Sequence, residues 1–357
     1  MRKTTINDIA KEAGVSKATV SRVLNHGELV DEETRNRVLD IIQKRRYSPS
    51  LVARSLSNRA SSTIGIVIPE IDNPFYGKIL RTIVNITDAE GLIPVCFDTG
   101  NNAEKDVKSL CVLRDLRIGG LIYASSVEHG ETGVTKQAKQ LLDDMGVPVV
   151  LIDRRVPDFQ RSGVFFDGFD AGYLSTKILI AAGHVNIGVI TGSLKLGIAR
   201  ARLDGYRKAH EECGLPVRRT FIFEGDFTSE TACLLSREML SLPERPSAVL
   251  TCNNDTSLGF LQALTERKLK IPRDIEHIGI DEIDVFDDLH MRYNHVTRGR
   301  VEMAQEAMAL LLTQIRNPDA RPESVWIAPR FVLDARLERV AVKHKIIAKK
   351  QKGASQP

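Results

Sequence analysis

The sequence predicts an all-α helix-turn-helix head followed by a two-lobed α/β body of doubly wound parallel sheets. Three observations predict it. Apolar residues recur at helical spacing over the first 47 positions, with a glycine break between two short runs. From Thr63 to about Arg339, short β-branched runs alternate with longer amphipathic segments. That body spans about 275 residues, large for a single sheet, so two sheets are expected with a split near Val156 to Ser162.

In the head, Ile6, Ile9, Ala10 and Ala13 share one helical face, and Gly14-Val15-Ser16 interrupts it. Ser16 can cap a second helix over Lys17 to Leu24, with Val20, Val23 and Leu24 turned inward. Ala10 is small where the two helices cross, and Gly14 supplies the left-handed backbone of a tight turn. A third helix follows the acidic start Asp31-Glu32-Glu33, and Val38, Leu39, Ile41 and Ile42 close the core. The outward face of the second helix carries Lys17, Ala18, Thr19, Ser21 and Arg22. In a helix-turn-helix that face enters the major groove. Arginine can bond guanine through two hydrogen bonds, an alanine can touch only a thymine methyl, and hydroxyls suit phosphates. A three-helix protein-interaction module is the alternative reading.

Charge is distributed unevenly. The chain carries +4 overall, but residues 1–60 carry +5, residues 339–357 carry +6 and the remainder −7. A basic head on an acidic body suits a head that meets a polyanion. The tail, 340–357, reads as a basic flexible segment. The five cysteines, Cys96, Cys111, Cys213, Cys233 and Cys252, are widely spaced with no C-x-x-C pair, so buried thiols are expected rather than a metal or redox site. No apolar run approaches the ~20 residues that span a bilayer. Met1 to Thr5 leads into a polar amphipathic segment without an apolar signal core, so a cytoplasmic, nucleoid-associated protein is expected.

In the body, Ile64 to Ile68, Pro94 to Phe97, Gly120 to Tyr123, Val147 to Ile152, Ile187 to Ile190, Ala248 to Thr251 and Ile278 to Ile280 read as strands. Tyr76 to Glu90, Ala171 to Ala182, Ala199 to Cys213 and Val301 to Ile315 read as helices between them. Strands apolar throughout imply parallel sheets covered on both faces. There is no G-x-G-x-x-G after Ile68, no G-x-x-x-x-G-K-[ST], no G-x-S-x-G and no H-E-x-x-H. These absences argue against an enzyme and against any cofactor or metal.

The run Thr5 to Asn25, continued by Val30, Thr34, Arg35, Val38 and Tyr47-Ser48-Pro49-Ser50, resembles the N-terminal signature of the lactose-repressor (LacI) family. The resemblance extends to about Arg336. It implies a DNA-binding transcriptional regulator, most often a repressor, and a palindromic operator read by a homodimer. It assigns DNA contact to Thr5, Ser16, Lys17, Ala18, Thr19, Ser21, Arg22, Asn25, His26 and Tyr47. From Tyr47 into the connector over 48–62, Tyr-x-Pro-x-x-x-Ala-Arg-x-Leu resembles the family's hinge helix, which orders on operator DNA. Ser50, Val52, Ala53, Arg54 and Leu56 are its contact positions, and Leu56 is the minor-groove wedge. The bland reading of that segment is an ordinary linker. The tail carries no leucine heptads of the kind that build a tetramer, so a dimer is expected.

The family's body resembles periplasmic sugar-binding proteins, with an N-lobe over 63–157 plus a crossover near 294–325 and a C-lobe over 162–293 plus 326–339. Ligands of doubly wound folds bind at the carboxyl ends of strands, so candidates are sought there. Asp72, Phe75 and Tyr76 follow the first strand, and Asp153 follows the strand ending at Ile152. Arg202 opens a far-lobe helix, and Phe227, Asn254, Asp255 and Asp281 follow later strands. By resemblance, Arg202, Asn254 and Asp281 bind effector, while Phe75, Tyr76 and Phe227 line its pocket. The implied effector is a small molecule, a sugar or sugar derivative. Phe75, Tyr76 and Phe227 could instead be core aromatics, Asp255 a helix cap, and Asp153-Arg154 a structural pair. Three positions depart from the family pattern: Ile280 where an aromatic is usual, Asn294-His295 where Thr-Thr is common, and Gly299 where proline is common. The competing classes are a solute-binding protein, which the head disfavours, and a Rossmann-type enzyme, which the missing motifs disfavour.

Overall fold

The structure is a computed structural model that describes residues 4–25, 29–45, 47, 61–126, 133–156, 158–291 and 293–348. The chain divides between Ser61 and Ser62 into two compact units.

In the first unit, helices α1 (Ile6–Ala13), α2 (Lys17–Asn25) and α3 (Glu32–Lys44) surround Ile9, Ala10, Ala13, Val20, Val23 and Val38. A capping box starts α1: the Thr5 N–H donates to the Asp8 carboxylate at 2.8 Å, and the Asp8 N–H donates to the Thr5 hydroxyl at 3.3 Å. Gly14 ends α1 at φ +66°, the left-handed turn expected. Ser16 then accepts the Thr19 N–H at 3.1 Å and caps α2. Leu39 is 43% exposed and stays outside the core, because it lies about 100° round the helix from buried Val38.

The second unit holds two six-stranded sheets. The first contains β1 (Thr63–Ile68), β2 (Ile93–Asp98), β3 (Gly120–Tyr123), β4 (Val149–Ile152), β5 (Ser162–Phe166) and β11 (Ser324–Ile327), in the order β11-β5-β4-β3-β1-β2, all parallel. Helix α4 (Pro74–Ala89) starts with Asn73 accepting the Phe75 N–H at 3.0 Å and Pro74 pre-set for the first turn. It packs with α12 (Arg300–Arg316) across this sheet, while α5 (Ala103–Asp115) and α6 (Gly133–Asp144) pack together.

The second sheet contains β6 (Ile187–Thr191), β7 (Ile222–Glu224), β8 (Ala248–Thr251), β9 (Glu276–Ile280), β10 (His295–Thr297) and β12 (Arg330–Val332), in the order β12-β10-β9-β8-β6-β7. It is parallel except at its edge, where β12 runs antiparallel to β10 with Val296 opposite Phe331. Its helices are α7 (Gly168–Ala181), α8 (Gly197–Glu212), α9 (Ser229–Leu240), α10 (Asn254–Glu266), α11 (Asp284–Asp288) and α13 (Ala335–Lys343). Helices α7 and α8 approach closely at glycines. A methyl at Gly172 would stand 2.1 Å from the Arg202 carbonyl oxygen, and one at Gly205 2.1 Å from that of Phe169. This contact fixes the helix that carries Arg202.

Several boundaries differ from the sequence reading. Ser162–Phe166 belongs to the first sheet, paired with β4 and β11, so the lobe boundary falls after Phe166. His295–Thr297 lies in the second sheet, not the first, and residues 326 and 327 belong to β11 of the first. Three-residue and edge strands carry too few apolar positions to register as periodic signals. The tail does not begin as a loose segment at 340, because α13 runs through Lys343 with Leu337 and Ala341 buried. The cysteines are not uniformly buried: Cys233 and Cys252 are, Cys111 and Cys213 are half-buried, and Cys96 is exposed on the sheet-edge strand β2.

Candidate functional site

In the head, Lys17, Ala18 and Arg22 are exposed on one side of α2, with Thr19 and Ser21 half-buried beside them. Ser16 is exposed, and its hydroxyl serves as the helix cap with Thr19, at 2.9 Å between the two oxygens. Thr5 is likewise engaged in the α1 cap, its hydroxyl donating to Asp8 at 2.7 Å. Tyr47 is half-buried and packs against the head core, which gives it a structural role there. His26, Ser50, Val52, Ala53, Arg54, Leu56 and the side chain of Asn25 lie outside the described residues.

In the body, a cavity of about 420 Å³ opens at the carboxyl ends of both sheets. From the first lobe it is lined by Phe75, Tyr76, Asp153 and Arg154, and from the second by Arg202, Phe227, Asn254 and Asp281. Arg298, which follows β10, sits between the lobes. Its guanidinium pairs with Asp153 of the first lobe and with Asp281 of the second at 3.3 Å. Tyr76 donates to Asp153 at 2.6 Å. Arg202 donates to the Cys252 carbonyl at 2.5 Å, and its guanidinium stands 5.6 Å from the centre of the Phe227 ring.

The electrostatics follow from burial. Burial alone pushes the Asp153 carboxyl up, but the Arg298 and Arg154 guanidinium groups and the Tyr76 hydroxyl outweigh it and hold its pKa below the usual value. Burial works against the Arg298 cation, and Asp153 and Asp281 overcome it, so Arg298 is held more firmly charged than usual. Arg202 goes the other way: burial and then the Arg298 charge lower its pKa. Asp153, Phe227 and Asp281 all hold left-handed backbone, with φ of +63°, +69° and +81°. Such conformations cost of order 1–3 kcal/mol each and concentrate at ligand sites.

The cavity brings together most of the predicted effector residues. Asp72 is not among them: it is exposed in the turn before α4. Asp255 is not among the lining residues either; it accepts a hydrogen bond at 3.2 Å from Asn73 of the first lobe, which is. It does not cap its helix, because Asn253 holds that position and accepts the Thr256 N–H at 2.8 Å. Phe75 and Tyr76 are both core and lining, at 3% exposure each. The sequence reading named Arg154 only as a possible structural partner of Asp153, and passed over Arg298 and Lys195. The rule of looking just past a strand would have found Arg298 had the short β10 been recognised. Among the described residues no group of three or more His, Cys, Asp or Glu could hold a metal ion, and no helix is long and apolar enough to cross a membrane.

A sequence profile described as "Bacterial regulatory proteins, lacI family" matches residues 5–50. A second, "Periplasmic binding proteins and sugar binding domain of LacI family", matches residues 61–331. The HTH-type transcriptional repressor PurR of Actinobacillus pleuropneumoniae is 32% identical over 92% of this chain and 97% of its own length. The ribose operon repressor of Haemophilus influenzae is 30% identical over the same shares. Among solved structures, a complex of the regulator CelR with cellobiose matches with a TM-score of 0.68 at 26% identity, covering 93% of this chain and 99% of that one. The lac repressor dimer bound to operator and an anti-inducer matches with a TM-score of 0.79 at 24% identity, covering 93% and 98%, and shares the fold.

Proposed function

The chain belongs to the lacI family of bacterial regulatory proteins, and from that premise we propose how its parts divide the work. It is a DNA-binding transcriptional regulator controlled by a small molecule. The head reads operator DNA through Lys17, Ala18 and Arg22, with hydroxyls of the same helix on phosphates. Two heads of a homodimer meet the two half-sites of a palindrome. The protein acts as a repressor in the cytoplasm, on nucleoid DNA, and performs no catalysis.

The observation that carries the effector reading is the Asp153–Arg298–Asp281 ion triad. It joins the two lobes inside the cavity. Its carboxylates are the groups that ligand hydroxyls would engage. Oδ1 of Asp281 in this triad and, beside it, Oδ1 of Asn254 are buried acceptors with no hydrogen-bond partner among the described residues. Buried acceptors call for donors, and adjacent sugar hydroxyls supply them. A ligand bonded to Asp153 and Asp281 changes the bonding of Arg298, and so favours one lobe arrangement over another. Operator DNA and effector are then linked: each changes the affinity of the other by the same factor.

The test uses the full chain. An operator is selected from a random duplex library, and its affinity is measured by fluorescence anisotropy across salt concentrations. Affinity that falls steeply with salt and distinguishes selected from scrambled duplex supports the reading. Binding without sequence preference would reject it.

A further inference from the structure

A second chamber, of about 760 Å³, adjoins the first and shares Asp153, Ile198 and Arg202 with it. Its floor is the edge of the first sheet, where Phe165 of β5 meets Trp326 of β11 with ring centres 5.5 Å apart. Trp326 is 52% exposed. The Arg155 guanidinium lies over both rings, 5.7 Å from the centre of Phe165 and 6.0 Å from that of Trp326. Among the described residues Arg155 makes no ion pair. The opposite wall is the start of α7 and α8 in the second lobe, with Gly168 and Arg200.

The charges of this chamber do not balance from within. Arg155, Arg161, Arg200 and Arg202 line it, against Asp153 and Asp158. Asp153 is already paired with Arg298, and Arg161 with Asp143. Arg202 is the more telling cation. It is 1% exposed, no carboxylate of the described residues lies within ion-pair distance, and its Nε has no hydrogen-bond partner. Gly168, which lines the second chamber, lies beside that Nε: a methyl there would stand 3.8 Å from it. A buried guanidinium N–H without an acceptor is costly. An exposed tryptophan with an arginine across it offers a ring face and a positive charge together.

We propose, resting on the reading of the cleft as the effector site, that the effector is an acidic two-ring saccharide. One ring occupies the chamber of Asp153, Asn254 and Asp281. The second lies against Trp326, and its anionic group is held by Arg155 and Arg202. Carboxylate and phosphate share this chemistry.

The experiment screens the full chain against neutral monosaccharides, neutral disaccharides, aldobiouronic acids and disaccharide phosphates, reading melting temperature, operator affinity and tryptophan emission. Trp326 is the sole tryptophan of the sequence, so emission reports on this chamber alone. The expected result is that an acidic disaccharide gives the largest rise in melting temperature and shifts the emission. Which of the two acidic series does so identifies the anion. Arg155→Gln should weaken that ligand about tenfold, as loss of a charge-assisted hydrogen bond does, with the unliganded melting temperature unchanged. A best ligand that is neutral or has one ring, or that alters operator affinity with tryptophan emission unmoved, overturns the proposal and leaves the cleft reading standing. If no compound of the four series changes melting temperature or operator affinity, the cleft reading falls too.

Discussion

The guanidinium carbon of Arg298 stands 3.5 Å from the centre of the Phe75 ring. This cation, only 4% exposed, is held by an aromatic face in van der Waals contact and by two carboxylates. It ties α4 of the first lobe to the ends of β4 and β9, and it sits where the chain crosses back from the second sheet to the first.

Removing this cation strands two buried carboxylates. Arg298→Gln is therefore expected to destabilise the body by about 3–5 kcal/mol, the usual cost of breaking a buried pair. Urea unfolding of wild type and variant, followed by circular dichroism, measures it. A loss below about 1 kcal/mol, the scale of exposed pairs, would show that the triad is not the tie described.

Arg22 is exposed on α2 and is not part of the apolar head core. Arg22→Ala should leave the melting temperature unchanged and weaken selected operator by about 1–3 kcal/mol, with relaxed preference at one base pair of each half-site. Anisotropy titrations against single-base operator variants check both. Uniform weakening at every position would instead mark Arg22 as a phosphate contact.

Burial raises the Asp255 pKa to about 6, helped by the nearby carboxylates of Glu70, Asp281, Asp72 and Glu230. A carboxyl whose folded pKa lies above its unfolded value of about 3.9 stabilises the fold when protonated. That contribution is complete below the unfolded value and is lost as pH rises through about 6. Asp255→Asn should thus melt with wild type near pH 3.5 and above it at pH 7.5. Equal melting temperatures at both pH values would contradict the shift.

Gly299 starts α12 at φ +59°, and a methyl there would stand 3.0 Å from Cγ2 of Ile327. Proline holds φ near −65° and cannot take this conformation. A proline at this position would require a different backbone. Gly299→Ala should lower the stability of the body by about 1–2 kcal/mol, the left-handed penalty of an L-residue, and Gly299→Pro by more. Denaturant midpoints of the two variants test the order.

Much of this architecture was legible because its signals are periodic. The head declared itself through Ile9, Ala10, Gly14 and Val20, whose spacing encodes two crossed helices and a left-handed turn. The central strands β1, β3, β4, β6 and β8 and the Ile278–Ile280 end of β9 declared themselves as apolar runs, since strands buried on both faces carry few polar positions. The edge and crossover strands did not. β10 has three residues and contains a histidine, and β11 exposes Ser324 and Trp326. Their place is set by pairing with distant strands, which no local pattern records. The same blindness hid Arg298, whose role exists only because Asp153 and Asp281, 128 positions apart in the sequence, face each other. Asp72 stands outside the cavity lining for a related reason. It adjoins the right strand, but the turn directs it to solvent while Phe75 and Tyr76, one helical turn on, reach the cavity.

The central claim is that a ligand between Asp153 and Asp281 controls operator binding. The most direct measurement is operator affinity of the full chain with and without the saccharide that most raises its melting temperature, in wild type and in Asp281→Asn. The ligand is expected to change wild-type affinity by about 5- to 150-fold, the usual range of allosteric coupling, and to leave that of Asp281→Asn unchanged. An operator affinity that the bound ligand does not move in wild type, or that it moves equally in both proteins, would contradict the claim.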